Sequence, residues 1–79
     1  MGLAKTEEEW GQRASAFLKG KMRESEVTYA ELVKRLKKHG LKETEAGITM
    51  KLKRGTFSVT FFLACLAAME LEGVVLEEI

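Results

Sequence analysis

TYAELVKRLKKHGLKETEAGITMKLKRGTFSVTFFLACLAAM, residues 28–69, is the stretch whose reading decides the fold. Thr28 and Glu31 stand at the spacing of a capping box, in which each side chain bonds the other's backbone N–H, and Val27 and Leu32 occupy the positions of a hydrophobic staple around it. Tyr29, Leu32, Val33 and Leu36 then recur as one helix face, and Lys34, Arg35, Lys37 and Lys38 crowd the end where the helix dipole favours cations. Gly40 supplies a left-handed stop. Thr44 is placed to cap a second helix with Ile48 and Leu52 on its inner face, and Gly55 ends it. Gly47 lies inside that helix at a cost of about 1 kcal/mol relative to alanine, so close packing of backbones is the expected reason for it. Ser58 caps a third helix, with Phe57 and Phe62 as its staple. Phe61 to Met69 is apolar nearly all round, so this helix is expected to be central and covered on several sides, with Gly73 following.

Outward from this stretch, one more helix precedes it. Thr6 and Glu9 form another capping box, the glutamates at 7, 8 and 9 complement the helix dipole, and Trp10, Ala14, Phe17, Leu18 and Met22 share a face to about Arg23. After it, Val74-Val75-Leu76 is too short for a helix and rich in β-branched residues, which predicts a brief strand. The expectation is a single domain over residues 1–79, with a core about 7–72 and a tail over 74–79: an all-α, compact four-helix unit with a short extended C-terminal tail.

Composition narrows the function. There is no proline to interrupt helices, and the chain has no aspartate, one histidine (His39) and one cysteine (Cys65). A metal site or a nucleophile–base pair has little to build on, and no glycine-rich phosphate loop is present, so the expectation is not an enzyme, with no cofactor, no metal and no small-molecule substrate. Cys65 lies among apolar neighbours and reads as a buried small hydrophobe in a reducing compartment. The uncharged run from Gly55 to Met69 is too short to span a bilayer and no signal-peptide pattern is seen, which points to a cytoplasmic protein without a membrane partner. The net charge of +1 is unevenly spread. Residues 18–55 carry eleven lysines and arginines against five glutamates, whereas residues 56–79 carry four glutamates and no cation. The middle of the chain therefore suits a polyanion, although solvated helix faces would read the same way.

The segment Glu43 to Arg54 is the candidate recognition helix. Lys51, Lys53 and Arg54 put charge at its far end, with Thr49 at the boundary of the outward face, and Lys34, Lys37, Lys38 and Lys42 are placed to hold a phosphate backbone. Glu43 and Glu45 at its start oppose phosphate.

Three blocks, Thr28-Tyr29-Ala30-Glu31-Leu32-Val33-Lys34-Arg35-Leu36, Lys51-Leu52-Lys53-Arg54-Gly55 and the apolar Phe61-to-Leu66 helix, resemble the lambda-repressor-like, Cro/C1-type helix-turn-helix family. Val27-Thr28-Tyr29-Ala30-Glu31-Leu32, Lys42-Glu43-Thr44-Glu45 and Lys51-Leu52-Lys53-Arg54-Gly55-Thr56-Phe57 resemble more closely an uncharacterised bacterial family of small domains, over roughly residues 12–76. The broader resemblance implies a small transcriptional regulator that binds double-stranded DNA; the closer one implies a bacterial, cytoplasmic protein and brings no established function with it. The alternative is a protein-interaction or dimerisation module on the same fold. The chain differs from the broader family in the length of Lys38 to Thr44, against a usual turn of about 3–4 residues. For the tail, Val74, Val75 and Leu76 either pair with the same segment of a second protomer, giving a homodimer, or fold over their own core.

Overall fold

Four side-chain hydroxyls start four helices in the structure, a computed structural model that describes residues 2–76 and 79. Thr6 accepts from the N–H of Glu9 at 3.0 Å and opens α1 (Glu7–Glu24). Thr28 accepts from Glu31 at 3.1 Å for α2 (Tyr29–Lys38), and Thr44 from Gly47 at 2.9 Å for α3 (Glu45–Arg54). Ser58 accepts from Phe61 at 3.0 Å for α4 (Val59–Ala68). Each bond satisfies a backbone donor that the first turn leaves without a carbonyl partner, worth about 1 kcal/mol. The capping boxes close on this side only. Glu9 accepts from the N–H of Lys5 at 3.1 Å, one residue before the expected donor, and Glu31 turns along its helix to Arg35 at 3.0 Å.

Three helix ends share one hydrogen-bond pattern. Beyond α2 the N–H of Leu41 reaches the carbonyl of Leu36 and that of Gly40 reaches Lys37, with Gly40 at φ 86°. This double closure over a left-handed residue is the Schellman motif. The same bonds run from Val27 to Met22 and from Glu26 to Arg23 after α1, and from Leu71 to Leu66 and from Glu70 to Ala67 after α4. At those two ends the left-handed residue is a glutamate, Glu26 at φ 57° and Glu70 at φ 59°. Helix α4 thus ends well before Gly73. α3 ends on Gly55 at φ 75°, as expected.

α2 lies against both α3 and α4, and α1 packs on α3. Phe17, Leu18, Met22, Val27, Leu32, Leu36, Ile48, Leu52, Phe61, Cys65, Leu66 and Met69 form one core. A fully buried leucine or phenylalanine stabilises such a core by about 1.5–3 kcal/mol. The staple at α4 is made as expected, the Phe57 and Phe62 rings stacking at 6.2 Å. Arg35 ties α2 to α4 by donating from Nη1 to the carbonyl of Ala68 at 3.1 Å, one of the carbonyls that the end of α4 leaves open.

Three expectations are corrected. α4 is covered on one side: Phe61, Cys65, Leu66 and Ala68 are buried, but Val59 is 73% exposed and Leu63 57%. Val74 to Leu76 forms no strand, because among the described residues there is no strand for it to pair with; instead the carbonyl of Leu76 accepts from the N–H of Ile79 at 3.1 Å. Val74 and Ile79 pack on the core, so the tail in part covers its own domain. Gly47 is not a backbone contact: a β-carbon there would meet the side chains of Thr44 and Glu43, at 3.0 and 3.3 Å. The true backbone approach joins Gly11 of α1 to Gly55, where a β-carbon on Gly11 would run into the Gly55 carbonyl oxygen.

Candidate nucleic-acid interface

Gly40, Leu41, Lys42 and Glu43 separate the cap of α2 at His39 from the cap of α3 at Thr44. The tight double closure after Leu36 turns the chain sharply, and Leu41 anchors it on the core. Ile48 and Leu52 then face inward, and the helical period leaves Glu45, Ala46, Thr49, Met50, Lys53 and Arg54 as the exposed face of α3.

The nominated cations divide into two groups. Lys34, Lys37, Lys38, Lys42, Lys53 and Arg54 are exposed, and among the described residues none of them forms an ion pair. Lys34, Lys37 and Lys38 surround one shallow concavity on α2 together with Glu31, whose carboxylate is held by Arg35. Lys42 precedes α3, whereas Lys53 and Arg54 close it, roughly 15 Å away along a helix of this length.

Lys51 differs. Its ammonium donates to both carboxylate oxygens of Glu43, at 3.0 and 3.1 Å, and stands 5.4 Å from the centroid of the Phe61 ring. The Glu43 side chain is 14% exposed and that of Lys51 29%. This nominated contact is therefore engaged inside the domain, and Glu43 is neutralised by it. The electrostatic objection to a polyanion at the start of α3 reduces to Glu45. Thr49 is exposed, but its hydroxyl donates to the carbonyl of Glu45 at 2.9 Å, which leaves only its acceptor side for a ligand. Of the tail residues nominated for dimerisation, Val74 is half-buried on the core, whereas Val75 and Leu76 are each 57% exposed.

Beneath the interface Cys65 is fully buried, and burial pushes its thiol up to about 12, with Glu43 adding to the rise and Lys51 opposing it. A thiol held protonated in this way is neither nucleophile nor ligand at neutral pH. No helix of the described residues is long and apolar enough to cross a membrane.

Sequence reasoning did not single out Arg35, which ties α2 to α4. Arg35 was hidden by its place in a basic run, although its spacing four residues after Glu31 was visible.

Residues 10–74 match a protein family described as a domain of unknown function. The chain belongs to the DUF6471 family. The matched span opens at Trp10 inside α1 and closes at Val74, so all of α2, α3 and α4 lies within the DUF6471 domain, together with Gly11 and Gly55. No curated protein and no solved structure matches the chain.

Proposed function

We propose that this DUF6471 domain binds duplex DNA through α2 and α3 as a helix-turn-helix unit. The observation that carries the reading is the set of six exposed cations, Lys34, Lys37, Lys38, Lys42, Lys53 and Arg54, free of ion pairs among the described residues. Free cations release counterions from a nucleic-acid backbone on binding, whereas paired ones must first give up a partner. The connection supports the same reading. Counted between caps it is Gly40 to Glu43, close to the turn of about 3–4 residues typical of such helix pairs. On the outward face of α3, Ala46 and Met50 offer apolar contact for a thymine methyl, and Lys53 and Arg54 offer donors for guanine edges or phosphates.

Titration against duplex DNA at increasing salt tests the proposal. Binding is expected to weaken linearly on logarithmic axes, and Lys53→Ala to reduce the slope by about 1. Absence of binding to any duplex at low salt rejects it.

A protein-interaction role on the same scaffold draws on a different observation. α4 carries no ionisable side chain other than the buried Cys65, and Val59 and Leu63, one turn apart, are exposed. An apolar helix face open to water suits a partner surface.

A further inference from the structure

Lys19 and Arg23 stand one turn apart on α1 and are not among the residues assigned to DNA. Both are exposed, and among the described residues neither forms an ion pair. Beside them lies a trough of about 360 Å³ lined by Lys19, Met22, Arg23, Val27, Thr28 and Tyr29. Its floor is apolar, since Met22 and Val27 are core residues, and the half-buried Tyr29 borders it. An apolar floor under a cationic rim complements an apolar side chain flanked by carboxylates. Phosphate alone would need no such floor. A small molecule would need a site enclosing most of its surface, whereas this trough is open along its length.

The chain itself carries a segment of that chemistry. From Glu70 onward it reads ELEGVVLEEI, acidic and apolar residues around one glycine, with no cation. Leu71, Val74 and Ile79 stay on their own core. Val75 and Leu76 are each 57% exposed, and Glu70 and Glu72 are exposed. No described residue of this segment lines the trough of its own chain.

We propose that the C-terminal segment of one copy docks in the Lys19–Arg23 trough of a second copy, with Leu76 on the Met22–Val27 floor and Glu70 and Glu72 toward the two cations. Each copy holds one trough and one segment, so a reciprocal exchange about a two-fold axis would satisfy both in a closed dimer, whereas a one-way exchange would leave an open chain. Two docked segments per dimer supply twice the contact of one. Like most associations led by exposed charge, this one weakens as salt rises.

The test is the solution mass of the full chain by sedimentation over a range of concentrations and salt. A dimer is expected, with Lys19→Glu/Arg23→Glu raising its dissociation constant about tenfold or more. Adding Glu70→Lys/Glu72→Lys to that variant is expected to restore most of the association. Leu76→Glu reads the contact from the other side and is expected to weaken it as well, so the proposal stays testable if a trough variant fails to fold. A single-chain mass at every concentration overturns the proposal, as does a dimer indifferent to Lys19→Glu/Arg23→Glu or one that the second pair of changes does not restore. A dimer lost on Leu63→Glu but kept in the trough variant assigns association to α4 and overturns it too.

Discussion

The ammonium of Lys51 stands 3.0 Å from a carboxylate oxygen of Glu43 and 5.4 Å from the centroid of the Phe61 ring. One of the three cations that the sequence places at the far end of the recognition helix is thus a strut between the α2–α3 connection and α4. Lys51→Ala removes the partner of a glutamate that is mostly withdrawn from water. It is expected to destabilise the fold by about 1–2 kcal/mol, between the limits for surface and buried pairs. Lys53→Ala, at an exposed side chain, is expected to leave stability within about 0.5 kcal/mol while weakening DNA binding. Urea denaturation of the two variants beside DNA titration separates the roles; equal loss of stability in both would contradict the assignment.

One substitution at two glycines of α1 is expected to act with opposite signs. At Gly11 a β-carbon collides with the Gly55 carbonyl, whereas at Gly20 nothing lies within 4 Å. Gly11→Ala is expected to cost about 1–3 kcal/mol, since backbone must move to admit the methyl group. Gly20→Ala is expected to stabilise by about 0.5–1 kcal/mol, through helix propensity and a less flexible unfolded chain. Chemical denaturation midpoints at constant slope report both.

Glu26 holds the left-handed position after α1 that glycine adopts at lower cost. Glu26→Gly is expected to stabilise by about 0.5–1 kcal/mol, raising the melting temperature by roughly 2–8 °C for a domain of this size. Gly40→Ala, at the equivalent position after α2, is expected to lower stability by a similar amount. Thermal melts that order the three proteins otherwise would show that these closures are not set by backbone conformation.

Cys65 makes stability depend on alkaline pH. Burial raises its thiol from 9.0 to about 12, so the unfolded chain loses this proton first. The contribution is whole below pH 9.0 and drains away as pH rises toward about 12, with a slope approaching 1.4 kcal/mol per pH unit. Cys65→Ala lacks this component. The difference in unfolding free energy between wild type and variant is therefore expected to shrink from pH 8.5 to pH 10.5, and a constant difference would refute it.

What could be read in the sequence was local. Thr6, Thr28, Thr44 and Ser58 act as caps because a cap needs only the donor three residues on. Phe57 and Phe62 meet for the same reason, the helix itself setting their distance. The contact between Glu43 and Lys51 crosses from a loop into a helix, and that between Gly11 and Gly55 joins elements far apart in sequence. Neither leaves a periodic trace. Glu26 and Glu70 escaped notice because a left-handed glutamate is unfavourable locally and is imposed by the two hydrogen bonds around it. The β-branched tail misled for the opposite reason: its preference for a strand is a preference for packing in a sheet, and no described strand is there to receive it. For the candidate site, charge and its place on α2 and α3 were legible, but which lysine was already engaged was not.

The seam between Gly11 and Gly55 has a mechanical meaning. Where side chains separate two helices, a load is absorbed by rotamer changes; where backbone rests on backbone, there is nothing soft to yield. Lys53 and Arg54 sit directly before this hard point. A pull or push on the cationic tip of α3, such as the proposed duplex contact would exert, would therefore be passed to α1 and tend to move the two helices as one lever.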